Sequence, residues 1–242
     1  MKKDPVSSHR FSVEKLIALI LIAYLFIMVV TPSAKADEVF FSHFTQGKPE
    51  SLGWVAKGDW SINVIGKDKP NLQNNPGAVV EFGSGNGSEG TLTKKFDKIS
   101  NPDTMILKFD AGYGWGDAGH VQVVGVELLD ADGNGYVFTQ NRAKATWGAQ
   151  WDVVTKYAHG AQLHWAPEEI DTTQKAVMDG GGLRTFTITR DSSGNWTFDG
   201  TGWVGGPLKF TDKTYSTFSQ VILLGTPNND DLLYNKIKLI TK

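Results

Sequence analysis

The sequence predicts an all-β domain, a two-sheet antiparallel sandwich preceded by an N-terminal signal helix. Three observations carry this. Helical periodicity is nearly absent after residue 37. Short β-rich runs recur instead, separated by clusters of Gly, Asn and Asp. Two of the junctions between runs read as hairpin turns. A series of short strands with turn signals between them is the pattern of a sandwich or barrel.

The candidate strands, in order, are Glu38–Phe44, Asp59–Ile65, Ala78–Phe82, Gly90–Phe96, Thr104–Asp110, His120–Leu129, Gly135–Thr139, Asp152–Tyr157, Leu183–Arg190, Asn195–Asp199, Phe218–Leu224 and Leu232–Ile240. Asp130-Ala131-Asp132-Gly133-Asn134-Gly135 marks one hairpin and Asp191-Ser192-Ser193-Gly194 the other. Glycine at such turns supplies the positive φ that other residues resist. In Arg184–Arg190, Phe186 and Ile188 lie two apart and share a face with Arg184 and Arg190 at the ends. Period-2 alternation sends that face to the core and Thr185, Thr187 and Thr189 to solvent or a ligand groove. Around Gly125 the alternation shifts phase, which predicts a bulge.

The first 36 residues differ from the rest. Lys2, Lys3, Arg10 and Lys15 give a basic start, and Leu16 to Val30 is an unbroken apolar run of 15 residues. Ala34-Lys35-Ala36 is a small-x-small cleavage site, so residues 1–36 read as a signal peptide and 37–242 as the exported domain, periplasmic or extracellular. A spanning helix wants about 20 apolar residues, so membrane contact is expected only through this segment, if it stays uncleaved. Residues 37–242 carry 19 basic and 24 acidic side chains, a formal charge of −5. That argues against a nucleic-acid partner. With Cys 0, neither disulfides nor thiol chemistry is available.

Trp54 with Gly58-Asp59-Trp60-Ser61-Ile62, the run Leu129–Tyr136, the hairpin Phe186–Trp196 and the closing strand Tyr234–Leu239 together resemble the secreted concanavalin A-like jelly rolls. The resemblance spans most of residues 38–240 and rests on loose motifs that mark an architecture. It implies a jelly-roll sandwich from a superfamily that includes lectins, carbohydrate-binding modules, glucanases and lyases; fold alone does not choose among them. The expected function is a polysaccharide- or glycan-binding module. The alternatives are a glycoside hydrolase or polysaccharide lyase of the same fold, and a structural or adhesive envelope protein.

Glucanases of this fold carry Glu-x-Asp-x-x-Glu, whose outer carboxylates act as nucleophile and acid/base. This chain has Glu169-Ile170-Asp171-Thr172-Thr173-Gln174, and the amide of Gln174 cannot move the required proton. Glu169, Asp171 and His164 are therefore weak catalytic candidates. Sugars present flat apolar faces edged by hydroxyls, and exposed rings with polar neighbours meet them. Tyr113 and Trp115 alternate with Gly in an expected loop. Trp147, Trp151 and Trp165 lie with His159 in the least strand-like stretch, 141–182. Long loops held on a scaffold concentrate binding residues, so this stretch is expected to form a groove wall. Trp54, Trp60 and Trp196 are expected in packing.

Asp130, Asp132 and Asn134 match the first half of a calcium loop, but Asn141 stands at the twelfth position and no helices flank it. A bare turn and a calcium site both remain open. Jelly rolls of this type also hold a structural calcium where first and last strands meet, which makes Asp231 and Asn235 candidate ligands.

Overall fold

The computed structural model describes residues 36–44, 48–65, 77–82, 90–113, 123–142, 150–160, 174–179, 183–201, 206–225 and 232–242. Side chains are described for these residues except 63–65, 77–82, 113, 123–124, 141–142, 150–156 and 174–179. The signal segment lies outside the described residues. Fifteen strands are described: β1 (Asp37–Ser42), β2 (Trp54–Lys57), β3 (Trp60–Ile65), β4 (Gly77–Phe82), β5 (Gly90–Ser100), β6 (Thr104–Tyr113), β7 (Val123–Leu129), β8 (Gly135–Arg142), β9 (Gln150–Gly160), β10 (Gln174–Asp179), β11 (Arg184–Asp191), β12 (Asn195–Gly200), β13 (Leu208–Thr211), β14 (Thr217–Gly225) and β15 (Leu232–Thr241). A short 3-10 turn, Pro49–Leu52, precedes β2. Among the described residues no helix is long and apolar enough to cross a membrane.

All pairings are antiparallel, in two sheets. One runs β13-β12-β11-β6-β15-β4-β3, with β1 also on β15; the other runs β10-β9-β8-β7-β14-β5-β2. The closing strand does most of the joining in the first sheet. Its N-terminal half pairs with β4 and its C-terminal half with β1, while β6 lies along its other edge. The register shifts between Asn235 and Lys238, where Lys236 takes φ 49°. Asn235 Oδ1 accepts the N–H of Phe44 at 3.1 Å and of Lys236 at 2.8 Å, so this side chain ties the end of the first strand to the bulge of the last.

The core lies between the sheets and is rich in aromatic rings. Phe109 stacks on Phe186 at 5.2 Å and 13°, and Trp196 packs against Tyr136 and Phe138 at 4.6 and 5.3 Å. Burying one such ring contributes about 1.5–3 kcal/mol. Trp54 and Trp196 are buried, and half-buried Trp60 packs on Tyr234, as their strand positions predict. Trp54 Nε1–H is satisfied by Ser42 Oγ at 3.0 Å. The Tyr234 hydroxyl crosses the sandwich to the other sheet. It accepts the Gly125 N–H at 3.1 Å and lies 2.9 Å from the carbonyls of Gly125 and Leu224.

β11 alternates as the sequence predicts. Phe186, Ile188 and Arg190 are buried, and the three threonines are half-buried on the outer face. Gly125 does not sit in a bulge: β7 keeps one register with β8 from Val123↔Asn141 to Leu129↔Gly135. The alternation is lost for another reason. Gly125–Leu129 and Val221–Gly225 are buried on both faces, and Leu129, Val137, Ala158, Ile222 and Leu224 form a second apolar cluster. A strand covered on both sides has no polar face to alternate with. Gly125 is needed because a Cβ there would meet Leu224 Cδ1 at 2.8 Å.

Two expectations about loops are corrected. Tyr113 ends β6, paired with Leu232, rather than standing in a loop. The stretch 141–182 is not strand-poor throughout: β9 runs 11 residues, and β10 pairs with it from Gln174↔Thr155 to Asp179↔Gln150. Trp151 lies within β9, opposite Met178.

Candidate functional site

Where the C-terminal part of β9 and the edge strand β13 face each other, a group of half-exposed side chains collects between the sheets. β9 contributes Tyr157 and His159. They lie two apart and so project on one face, opposite Phe138 and Tyr136 of β8. β13 contributes Phe210, and the segment from β13 to β14 contributes Asp212 and Tyr215. Tyr157 and Phe210 lie face to face, with centroids 3.4 Å apart and planes 3° apart. Phe210 is also nearly parallel to buried Trp196, at 6.0 Å and 11°. A run of rings thus leads from the core to the mouth.

Beside the rings sits a polar cluster. His159 Nδ1 lies 2.6 Å from Asp212 Oδ2, an ion-pair contact rather than an aligned hydrogen bond, and the two side chains are 30% and 8% exposed. Nδ1 itself is shut off from solvent, so the exposure falls on the rest of the ring. Asp212 Oδ1 accepts the N–H of Thr214 at 2.8 Å and the hydroxyl of Tyr136 at 2.9 Å. That hydroxyl accepts the N–H of Tyr215 at 3.1 Å in turn. The Asp212 carbonyl takes Trp196 Nε1–H at 3.1 Å, and its N–H donates to Gly194 O at 2.9 Å. Gly194 (φ 76°) permits this approach, since a Cβ there would meet Asp212 O at 2.7 Å.

Burial alone would push the Asp212 carboxyl up. The Thr214 N–H and hydroxyl, the Tyr136 hydroxyl and the nearby imidazole together outweigh it and hold the group below the usual carboxylate range. Burial, and secondarily the carboxylate of Asp212, push the Tyr136 phenol well above its ordinary value, so it stays a neutral donor. Arg190 closes the inner side, its guanidinium 5.6 Å from the Trp196 ring and bonded to Asn101 Oδ1 at 3.1 Å. The arrangement offers a ring surface, a fixed carboxylate and an oriented imidazole, a set suited to holding a polyhydroxylated ligand.

Of the residues picked out from sequence, His159 is the one placed in this group. Trp115, Trp147, Trp165, His164, Glu169, Asp171 and Asp231 lie outside the described residues, and the side chains of Tyr113 and Trp151 are not described. Sequence reasoning missed Asp212, Phe210 and Tyr215, which are more than 50 residues from His159 in the chain and carry no motif. Tyr157 had a usable signal: carried two residues further, the expected strand 152–157 would have put it on one face with His159.

The turn Asp130–Asn134 closes on itself. Asp130 Oδ1 accepts the N–H groups of Asp132 and Asn134 at 2.9 and 2.8 Å, and Oδ2 accepts Asn134 Nδ2–H at 3.1 Å. Asp191 and Asn195 repeat this arrangement at the other hairpin, with 2.9 Å for both the N–H and the amide contact. The oxygen of Asn235 is engaged by two N–H groups, as above. Among the described residues no three His, Asp or Glu side chains converge as a metal site.

Comparison with known proteins places the fold. No family model and no curated protein matches the chain. Among solved structures it is similar to a carbohydrate esterase of the Shiga toxin-encoding bacteriophage phi24B, with TM-score 0.55 and 12% identity over 86% of this chain and 100% of that one. It is also similar to the CBM2 module of the evolved Dit of Lactobacillus casei BL23 phage J-1, with TM-score 0.51 and 11% identity over 86% and 96% of the two chains. At these identities the likeness is one of fold.

Proposed function

We propose that this chain is an exported glycan-binding domain of concanavalin A-like type, with its ligand held at the mouth between β9 and β13. One observation carries the reading: half-exposed Tyr157, Phe210 and Tyr215 stand beside an imidazole that touches a buried carboxylate. Rings match the apolar faces of a pyranose, and the polar pair matches its hydroxyls. The shared fold of carbohydrate-related domains supports the same class without naming a ligand. Trp147, Trp151 and Trp165 belong to this proposal as further ring contacts, and a structural calcium held by Asp231 and Asn235 remains a separate proposal.

The test is retention of the protein on a panel of insoluble β-glucan, galactan and algal polysaccharides. The reading expects retention on at least one, reduced by Tyr157→Ala. Loss of one ring–sugar contact should cost on the order of 1–3 kcal/mol. No retention on any member of the panel would contradict it.

A further inference from the structure

Asp212 sets which hydrogen-bonding face His159 turns to solvent. Two bare lone pairs do not approach to the 2.6 Å that separates His159 Nδ1 from Asp212 Oδ2, so one of the two atoms carries a proton, although the contact is not an aligned hydrogen bond. Asp212 is the group held ionised, because Oδ1 takes the Thr214 N–H and the Tyr136 hydroxyl while the imidazole lies against Oδ2. The proton therefore resides on Nδ1, which is sealed from solvent. In a neutral imidazole that leaves Nε2 as a bare acceptor.

We infer that Asp212 is a specificity-determining residue: by holding the His159 proton on Nδ1 it makes the mouth an acceptor for a ligand hydroxyl and selects neutral sugars over uronates and sulfated sugars. This rests on the glycan reading above. A hydroxyl can donate to Nε2, whereas a carboxylate or sulfate ester brings only acceptors to a nitrogen that can itself only accept. The three rings around the pair add apolar contact, which also favours an uncharged pyranose.

The geometry dictates what Asp212→Asn would do. Oδ1 accepts from two donors, so the amide oxygen must keep that position. The amide nitrogen is then forced into the place of Oδ2 and points an N–H at Nδ1. The imidazole moves its proton to Nε2, and the mouth changes from acceptor to donor while the negative charge disappears.

Two measurements test this. Long-range proton–nitrogen NMR on the labelled protein, followed upward in pH until the His159 ring nitrogens report a neutral imidazole, should show the Nδ1–H form of His159 in the wild type and the Nε2–H form in Asp212→Asn. An Nε2–H wild type overturns the inference and leaves the glycan reading standing. Retention is then compared on neutral β-glucan and on polygalacturonate. The wild type should favour the neutral polymer by at least roughly 10-fold, the effect of about one hydrogen bond, and Asp212→Asn should shrink that ratio by a similar factor. A wild type that prefers polygalacturonate, or a ratio the substitution leaves unchanged, overturns the inference. Retention on neither polymer nor any other polysaccharide overturns the glycan reading and the ligand class with it.

Discussion

Replacing Tyr136 by Phe isolates the hydroxyl that joins the core to the candidate site. The ring is fully buried and keeps its neighbours Trp196, Phe218 and Phe138, so packing changes little. Three polar contacts go: the donation to Asp212 Oδ1 at 2.9 Å, the longer approach to the Tyr215 carbonyl at 3.3 Å and the acceptance of the Tyr215 N–H at 3.1 Å. A hydrogen bond to a charged group contributes about 1.5–3 kcal/mol, and the partly buried Tyr215 N–H left behind adds a smaller penalty. The expected loss is therefore about 2–3 kcal/mol, or a fall in Tm of roughly 4–12 °C for a domain of this size. Urea unfolding followed by tryptophan fluorescence should show a lower midpoint with an unchanged slope. A loss under about 0.5 kcal/mol would refute the reasoning, because it would mean that the hydroxyl is equally well satisfied by water.

Three further outcomes follow from the same structure. The folded-state pKa of Asp212 is depressed, so its ionised form stabilises the fold above the ordinary carboxylate range and that contribution is lost as pH falls through the folded value; Asp212→Asn should flatten the acid limb of Tm against pH, and an acid limb identical to wild type would contradict this. Gly125→Ala must push Leu224 aside from a 2.8 Å contact and should cost about 1–3 kcal/mol in denaturant unfolding, whereas a neutral result would mean that the close approach relaxes freely. At the Asp130 turn the carboxylate is already engaged by three donors, so millimolar calcium should leave Tm unchanged, while a clear rise would establish the loop as a calcium site.

Local chemistry was legible in the sequence, and long-range assembly was not. All twelve expected strands are present, because alternation in runs such as Arg184–Arg190 and turn residues at Asp130 and Asp191 act over a few positions. β2, β10 and β13 were missed: β2 and β13 are only four residues long, too short for alternation to stand out, and β10 lies in the stretch 141–182 that reads as a loop. The phase shift at Gly125 was misread as a bulge because two-sided burial of β7 and β14 depends on the whole sandwich. His159 drew notice as a histidine near tryptophans, yet what gives it a role is Asp212, which β13 and the turn after it deliver from the opposite side. Thr185 shows the converse: its position on the outer face was predicted, but its 2.6 Å bond to Asp110 needed the β11–β6 register to be seen.

The central claim is that a glycan sits at the mouth between β9 and β13. The most direct measurement is NMR titration of the labelled protein with a soluble oligosaccharide of whichever polysaccharide retains it. The account predicts that the largest perturbations fall on Tyr157, His159, Phe210 and Tyr215, with the outer face of β11 silent. Perturbations centred on Thr185, Thr187 and Thr189, with the mouth unchanged, would contradict it.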